Sequence, residues 1–123
     1  MIDGLVNDDL EGEIQLTVIG PDGPMGISAW IDTGFSGFLT LNREAINRLG
    51  LAWESRGWTV LGDGREHVVN EYLADVVWDG SRRRIVVDES EVKPLIGTSL
   101  LAGYKLEMEF QAGGELRLEA LVK

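Results

Sequence analysis

Apolar and polar residues alternate over most of the chain and helix-length periodicity is rare, so the pattern predicts short strands joined by tight turns. From Glu13 to Ile19 a strand carries Ile14, Leu16 and Val18 on one face. Gly20-Pro21-Asp22-Gly23-Pro24 follows with residues that preset or permit turn dihedrals, and a strand from Met25 to Ile31 completes a hairpin. Phe38-Leu39-Thr40-Leu41 reads as a short buried strand. The one convincing helix covers about Arg43 to Leu49, with Asn42 as N-cap, Ala45, Ile46 and Leu49 on one face, and Gly50 as the stop.

Further along, Trp58 to Leu61 and Arg65 to Tyr72 flank Gly62-Asp63-Gly64, a hairpin signal because glycine accepts positive φ at little cost. A second pair, Leu73 to Trp78 and Arg84 to Val87, brackets Asp79-Gly80-Ser81. Pro94-Leu95-Ile96-Gly97 is apolar and ends in glycine, and Thr98 to Gly103 suggests one helical turn. In the tail Tyr104, Leu106, Met108 and Phe110 face one way, and Gly113-Gly114 turns the chain into Leu116, Leu118 and Ala120. With no linker, low-complexity segment or repeat in view, residues 1–123 are expected to form one all-β domain, closed because open edges invite aggregation.

Composition narrows the function classes. At 123 residues a single core suffices without disulfide or structural metal. The absence of cysteine excludes a thiol nucleophile and the common zinc-finger spacings. Eleven basic against twenty-one acidic residues give a net charge of −10, which repels phosphate backbones and anionic lipid, so neither nucleic acid nor membrane is an expected partner. No apolar run approaches the ~20 residues needed to span a bilayer, and Met1-Ile2-Asp3-Gly4 lacks the marks of a signal peptide, so the expected location is cytoplasmic.

The strongest candidate for chemistry is Ala29-Trp30-Ile31-Asp32-Thr33-Gly34-Phe35-Ser36-Gly37, where an apolar strand runs into an acid, a hydroxyl and a glycine. Apolar residues on both sides put this turn near the core, where an unpaired charge costs several kcal/mol. Taken alone, Asp32 reads more simply as a turn residue bonded to its own backbone.

In its motifs the chain resembles the retroviral-type aspartic proteases, in particular the small single-domain prokaryotic members of that clan that carry Asp-Thr-Gly-Phe. Three segments carry the resemblance in order. Ile31 to Gly37 looks like the catalytic loop, Leu61-Gly62-Asp63-Gly64 like the tip of the flap hairpin, and Pro94-Leu95-Ile96-Gly97 like the motif packed behind the loop. The implied fold is all-β, a closed retropepsin-like barrel with one or two short helices and one lobe per chain. The implied activity is peptide hydrolysis by two carboxylates acting on one water. Because the chain holds one Asp-Thr-Gly, the second carboxylate would come from a second copy, making the protein a homodimer about a two-fold axis. No cofactor and no metal are implied, and the partners would be the chain itself and a peptide or protein substrate. The alternative is a non-catalytic dimerisation or peptide-binding module on the same fold.

Residue by residue, the resemblance implies that Asp32 is the catalytic acid and that Thr33 bonds across the dimer to the partner loop. Gly34 would let backbone pass close to the carboxylates, and the Ser36 hydroxyl would donate to the outer oxygen of Asp32. Leu61, Gly62, Asp63 and Gly64 would cover substrate, and Leu95, Ile96 and Gly97 would support the loop. Asp63 and Arg65 depart from the more glycine-rich, apolar flaps of the viral enzymes. Elsewhere, His67 is expected to be structural or superficial, Arg82-Arg83-Arg84 to lie on a solvated strand edge, Asp88-Glu89-Ser90-Glu91 to be a solvated acidic turn, and the four tryptophans to be core and pocket walls.

Overall fold

A computed structural model describes residues 1–60 and 63–122. Among these the elements run β1 (Ile2–Val6), β2 (Gly12–Gly20), β3 (Gly23–Ile31), β4 (Leu39–Leu41), α1 (Arg43–Leu49), β5 (Trp53–Val60), β6 (Glu66–Trp78) and β7 (Ser81–Glu89). β8 (Leu95–Ile96), α2 (Thr98–Leu101), β9 (Tyr104–Met108) and β10 (Glu115–Ala120) complete the chain. No helix among the described residues is long and apolar enough to cross a membrane.

The strands β2, β3, β8, β4, β7 and β6 pair in that order, and β6 returns to β2 through Val18↔Val76 and Ile19↔Asp75, closing a six-stranded barrel. Alternation sends Ile14, Leu16, Val18, Ala29, Val76, Ile85 and Val87 inward, all nearly inaccessible to water. Helix α1 buries Ile46 and Leu49 against this core. The Asn42 side chain caps it by accepting from the Ala45 amide at 2.9 Å, and Gly50, at φ 72°, ends it. The Leu49 carbonyl then accepts from Asp22 N–H, which fastens the helix to the β2–β3 turn.

Three features depart from expectation. β5 begins at Trp53, and β6 runs unbroken through Tyr72 and Leu73, because Trp53↔Tyr72 and Tyr72↔Val87 pairings carry the strand across the point where the apolar pattern breaks. β1 appears without a strong alternation of its own. It pairs with β10 from Ile2↔Leu118 to Leu5↔Glu115, and a Cβ on Gly4 would strike the Glu13 carbonyl oxygen. The tail hairpin forms as β9 and β10, but Phe110 lies past β9 and is exposed.

Candidate active site

β8 lies between β4 and β3, parallel to β3 through Trp30↔Leu95 and Ile31↔Ile96 and antiparallel to β4 at Leu39↔Ile96. The segment from Asp32 to Phe38 leaves on one side of β8 and re-enters the sheet on the other, so it must arch over the end of that strand. Leu95, Ile96 and Gly97 are therefore brought directly behind it. Asp32 N–H donates to the Ile96 carbonyl at 2.9 Å, Gly97 N–H to Phe38 and Thr98 N–H to Phe35. Ser99 adds its N–H to the Gly37 carbonyl and its hydroxyl to the Ser36 carbonyl at 2.7 Å. Phe35 is fully buried, and a Cβ on Gly97 would collide with the Gly37 carbonyl and stand 2.7 Å from the Phe35 ring. Glycine at 97 is a packing requirement.

Within the arch, Asp32 closes on itself. Its carbonyl accepts from Phe35 N–H at 3.1 Å and its carboxylate Oδ1 from Gly34 N–H at 2.9 Å, which fixes the carboxylate plane while the side chain stays partly open to solvent. Thr33 and Gly34 are exposed. The Ser36 hydroxyl differs from expectation. Its hydrogen bonds among the described residues go to the Val60 N–H at 3.1 Å and to Thr59 Oγ1 at 3.3 Å rather than to Asp32. Since Phe35 turns into the core, the next residue points the other way, toward β5, and Ser36 N–H also donates to the Val60 carbonyl.

β5 and β6 form the expected hairpin, paired as far as Val60↔Glu66. Of its tip, Leu61 and Gly62 lie outside the described residues. Asp63 and Gly64 are exposed, with Gly64 at φ 79°. The Asp63 carboxylate accepts from Arg65 N–H at 2.9 Å and lies 3.0 Å from His67 Nε2, and these contacts, the Arg65 amide foremost, hold its pKa below the ordinary value. His67 thus braces the hairpin. Two tryptophans are not core: Trp53 and Trp58 are exposed on this hairpin, with Val68 paired opposite Trp58. Arg82 and Arg84 both pair with Asp75 and stay exposed, while Arg83 lies over the Phe38 ring at 5.5 Å; along these residues β7 pairs with β6 alone, its ladder to β4 beginning only at Val87, so the basic run lies on a solvated strand edge as expected.

The acidic run corrects the sequence reading most sharply. Asp88 is no solvated turn residue. It belongs to β7 and is 4% exposed, pairing with Thr40 on β4 and Glu71 on β6. Its carboxylate packs against Gly37, where an added Cβ would stand 2.9 Å from Oδ2. Burial first, and the Glu71 charge second, push the Asp88 pKa up to about 6, with the nearby Thr59 hydroxyl acting the other way. Thr40 is also buried and accepts from Leu95 N–H at 2.8 Å. The sequence singled out neither Thr40 nor Thr59, although a polar residue inside an otherwise apolar strand was the available signal. Among the described residues, no group of three or more histidine, aspartate or glutamate side chains is gathered to hold a metal ion.

No protein-family model and no curated protein matches the sequence. Among solved structures the chain is similar to a crystal structure of a retropepsin-like aspartic protease from Rickettsia conorii. The TM-score is 0.51 at 19% sequence identity, over 98% of this chain and 91% of that one. This likeness is one of fold: the barrel, the arch over β8 and the two short helices make a retropepsin-like architecture.

Proposed function

We propose that this chain is one half of a homodimeric aspartic endopeptidase, with Asp32 from each of two copies as the catalytic pair. The observation that carries the reading is the seating of Asp32: a partly exposed carboxylate at the crest of an arch whose backbone is hydrogen-bonded to Ile96, Gly97, Thr98 and Ser99 behind it and to Val60 beside it, in a retropepsin-like fold. A rigid seat is what a catalytic acid needs, because misplacement by an ångström is costly in rate.

In the reaction, one carboxylate takes a proton from the water, whose oxygen bonds to the peptide carbonyl carbon. The other carboxyl donates a hydrogen bond to the carbonyl oxygen as negative charge develops there. Collapse of the tetrahedral intermediate breaks the C–N bond, and the proton passes to the leaving nitrogen. The β5–β6 hairpin would lie over an extended peptide and exclude water. Peptide or protein is the substrate class, and the chain needs neither metal nor cofactor for this route.

The test combines a mixed peptide library, read by mass spectrometry, with Asp32→Asn. Wild type should cut and Asp32→Asn should fall to background with its thermal unfolding unchanged, since Asn Oδ1 can still accept from Gly34 N–H. Equal cleavage by the two would refute the assignment. A dimer that cuts nothing would make the chain a non-catalytic module.

A further inference from the structure

β3 is covered along the whole of one edge and only part of the other. On the β2 side it is paired throughout, from Glu13↔Trp30 to Gly20↔Gly23, without a bulge. On the opposite side its pairing among the described residues is confined to Trp30 and Ile31, where β8 begins. Trp30 N–H donates to the Pro94 carbonyl on that side at 3.0 Å, and Asp32 N–H to the Ile96 carbonyl at 2.9 Å. Backbone groups alternate between the two edges of a strand, so Ser28 and Gly26 direct their N–H and C=O the same way as Trp30, beyond the start of β8. There they border a groove of about 320 Å³ between β3 and the β4–α1 corner. Met25, Ile27, Leu41, Ala45 and Pro94 give it an apolar lining, and Glu44 is the only charged side chain among the described residues that line it. A Cβ on Gly26 would meet nothing within 4 Å, and glycine inside a strand often marks the place where another backbone approaches.

We infer that this edge of β3 is a docking site for an extended, basic segment of another protein, which adds a strand beside Gly26 and Ser28 in line with β8. Main-chain pairing to an unpaired sheet edge supplies affinity with little regard to sequence, and the side chains around it supply preference. About three residues of extended peptide reach both Gly26 and Ser28. The preference for a basic segment follows from charge. Glu44 stands exposed on the groove wall, its neighbour Arg43 is already paired with Glu89, and the chain as a whole carries −10. A lysine or arginine flanked by small apolar residues would bring its head group to Glu44 while its neighbours cover Met25 and Ala45. No catalytic group takes part, so the inference stands apart from the protease reading.

Two capped five-residue peptides, one alternating valine with lysine and the other valine with glutamate, test this on the full chain. Fluorescence polarisation reads the binding, mass spectrometry confirms that the probes stay intact, and amide hydrogen exchange by NMR reads the place. The lysine peptide should bind roughly tenfold more tightly than the glutamate peptide at low salt, a gap that narrows as salt is raised. In its complex the Gly26 and Ser28 amides should gain protection, whereas those of Ile27 and Ala29, which face β2, should not change. Gly26→Pro removes an edge N–H at a kind of position where strands accept proline, and should weaken the lysine peptide at least fivefold. Should that variant fail to fold, Glu44→Gln keeps the test: it should cost the lysine peptide roughly two- to fivefold and leave the glutamate peptide no weaker. Equal binding of the two peptides overturns the basic preference. Protection gained only at other amides, or no binding of the lysine peptide at millimolar concentration, overturns the docking site. Protection of Gly26 and Ser28 without peptide, rising with protein concentration, would assign the edge to a second copy of this chain and overturn the partner named here. Cleavage is not among these readings, so a chain that cuts nothing leaves them as decisive as before.

Discussion

Asp88 and Glu89 are neighbours on β7 that face opposite ways and respond oppositely to pH. Asp88 packs its carboxylate against Gly37, and its pKa is pushed up to about 6 by burial and then by the Glu71 charge. Glu89 accepts from the Tyr72 hydroxyl at 2.7 Å and from the Arg43 guanidinium at 3.0 Å, and these contacts, Tyr72 foremost, hold its pKa below the ordinary value.

For Asp88 the folded-state value lies above the unfolded one, so its stabilising contribution is complete below about pH 4 and is lost as pH rises through about 6. The difference of about two pKa units corresponds to roughly 3 kcal/mol. Urea unfolding between pH 5 and 8 should show a decline in wild type that Asp88→Asn removes, leaving the variant the more stable protein at pH 8. A decline of the same size in both would place its cause elsewhere.

Glu89 has the reverse sign. Its folded-state pKa is depressed, so the stability it gives is present above the ordinary glutamate value and is lost on acidification. Tyr72→Phe, which deletes the donor but little volume at a residue 8% exposed, should cost about 1.5 to 3 kcal/mol at pH 7, as for a hydrogen bond to a charged group. The cost should shrink as pH falls and Glu89 takes up its proton, which the depressed pKa places below the ordinary glutamate range. A penalty independent of pH would mean that the ring packing, not the carboxylate, matters.

These two residues also mark the limit of what the sequence made legible. Asn42, Glu44, Ile46 and Gly50 spelled out α1 because capping and helical spacing are local, and the structure keeps those bounds. The barrel strands were equally readable where alternation was clean, as in Ile14, Leu16 and Val18. The fate of Asp88 depended on β4, β5 and β6 converging on it from residues 40, 59 and 71, which no window along the chain can display. Ser36 is a similar case. Its place in the motif was visible, but its partners Thr59 and Val60 lie 23 and 24 residues away on β5. No element was expected over Ile2–Val6, and only its pairing with β10 makes it a strand.

Gly97→Ala should be far more damaging than a glycine substitution in an open strand. The new methyl would meet the Gly37 carbonyl and the Phe35 ring, and neither backbone nor buried ring can yield easily. Overpacking of this kind costs about 1 to 3 kcal/mol. Gly26→Ala, on β3 with nothing within 4 Å of its Cβ, serves as the comparison and should change stability by less than about 0.5 kcal/mol. Differential scanning calorimetry of both variants checks the contrast. Similar melting temperatures would mean that the arch adapts to a side chain at 97.

The proposed homodimer makes a quantitative prediction about mixtures. If each active centre takes one Asp32 from each copy, a dimer with one Asp32→Asn subunit has lost half of its acid pair and should be inactive. With subunits exchanging freely, activity per dimer then follows the square of the wild-type fraction, so an equal mixture retains about one quarter of the activity of wild type at the same total concentration. A chain that used its single Asp32 alone would retain about half. Sedimentation in parallel should report about twice the 13.5 kDa of the chain, and Thr33→Ala, if Thr33 bonds to the partner loop, should move the dimer–monomer midpoint to higher concentration by roughly two- to tenfold per hydrogen bond lost. The quadratic curve and the dissociation point are independent readings of the same interface. A linear mixing curve from a protein that sediments as a dimer would leave the assembly standing and remove the shared active centre.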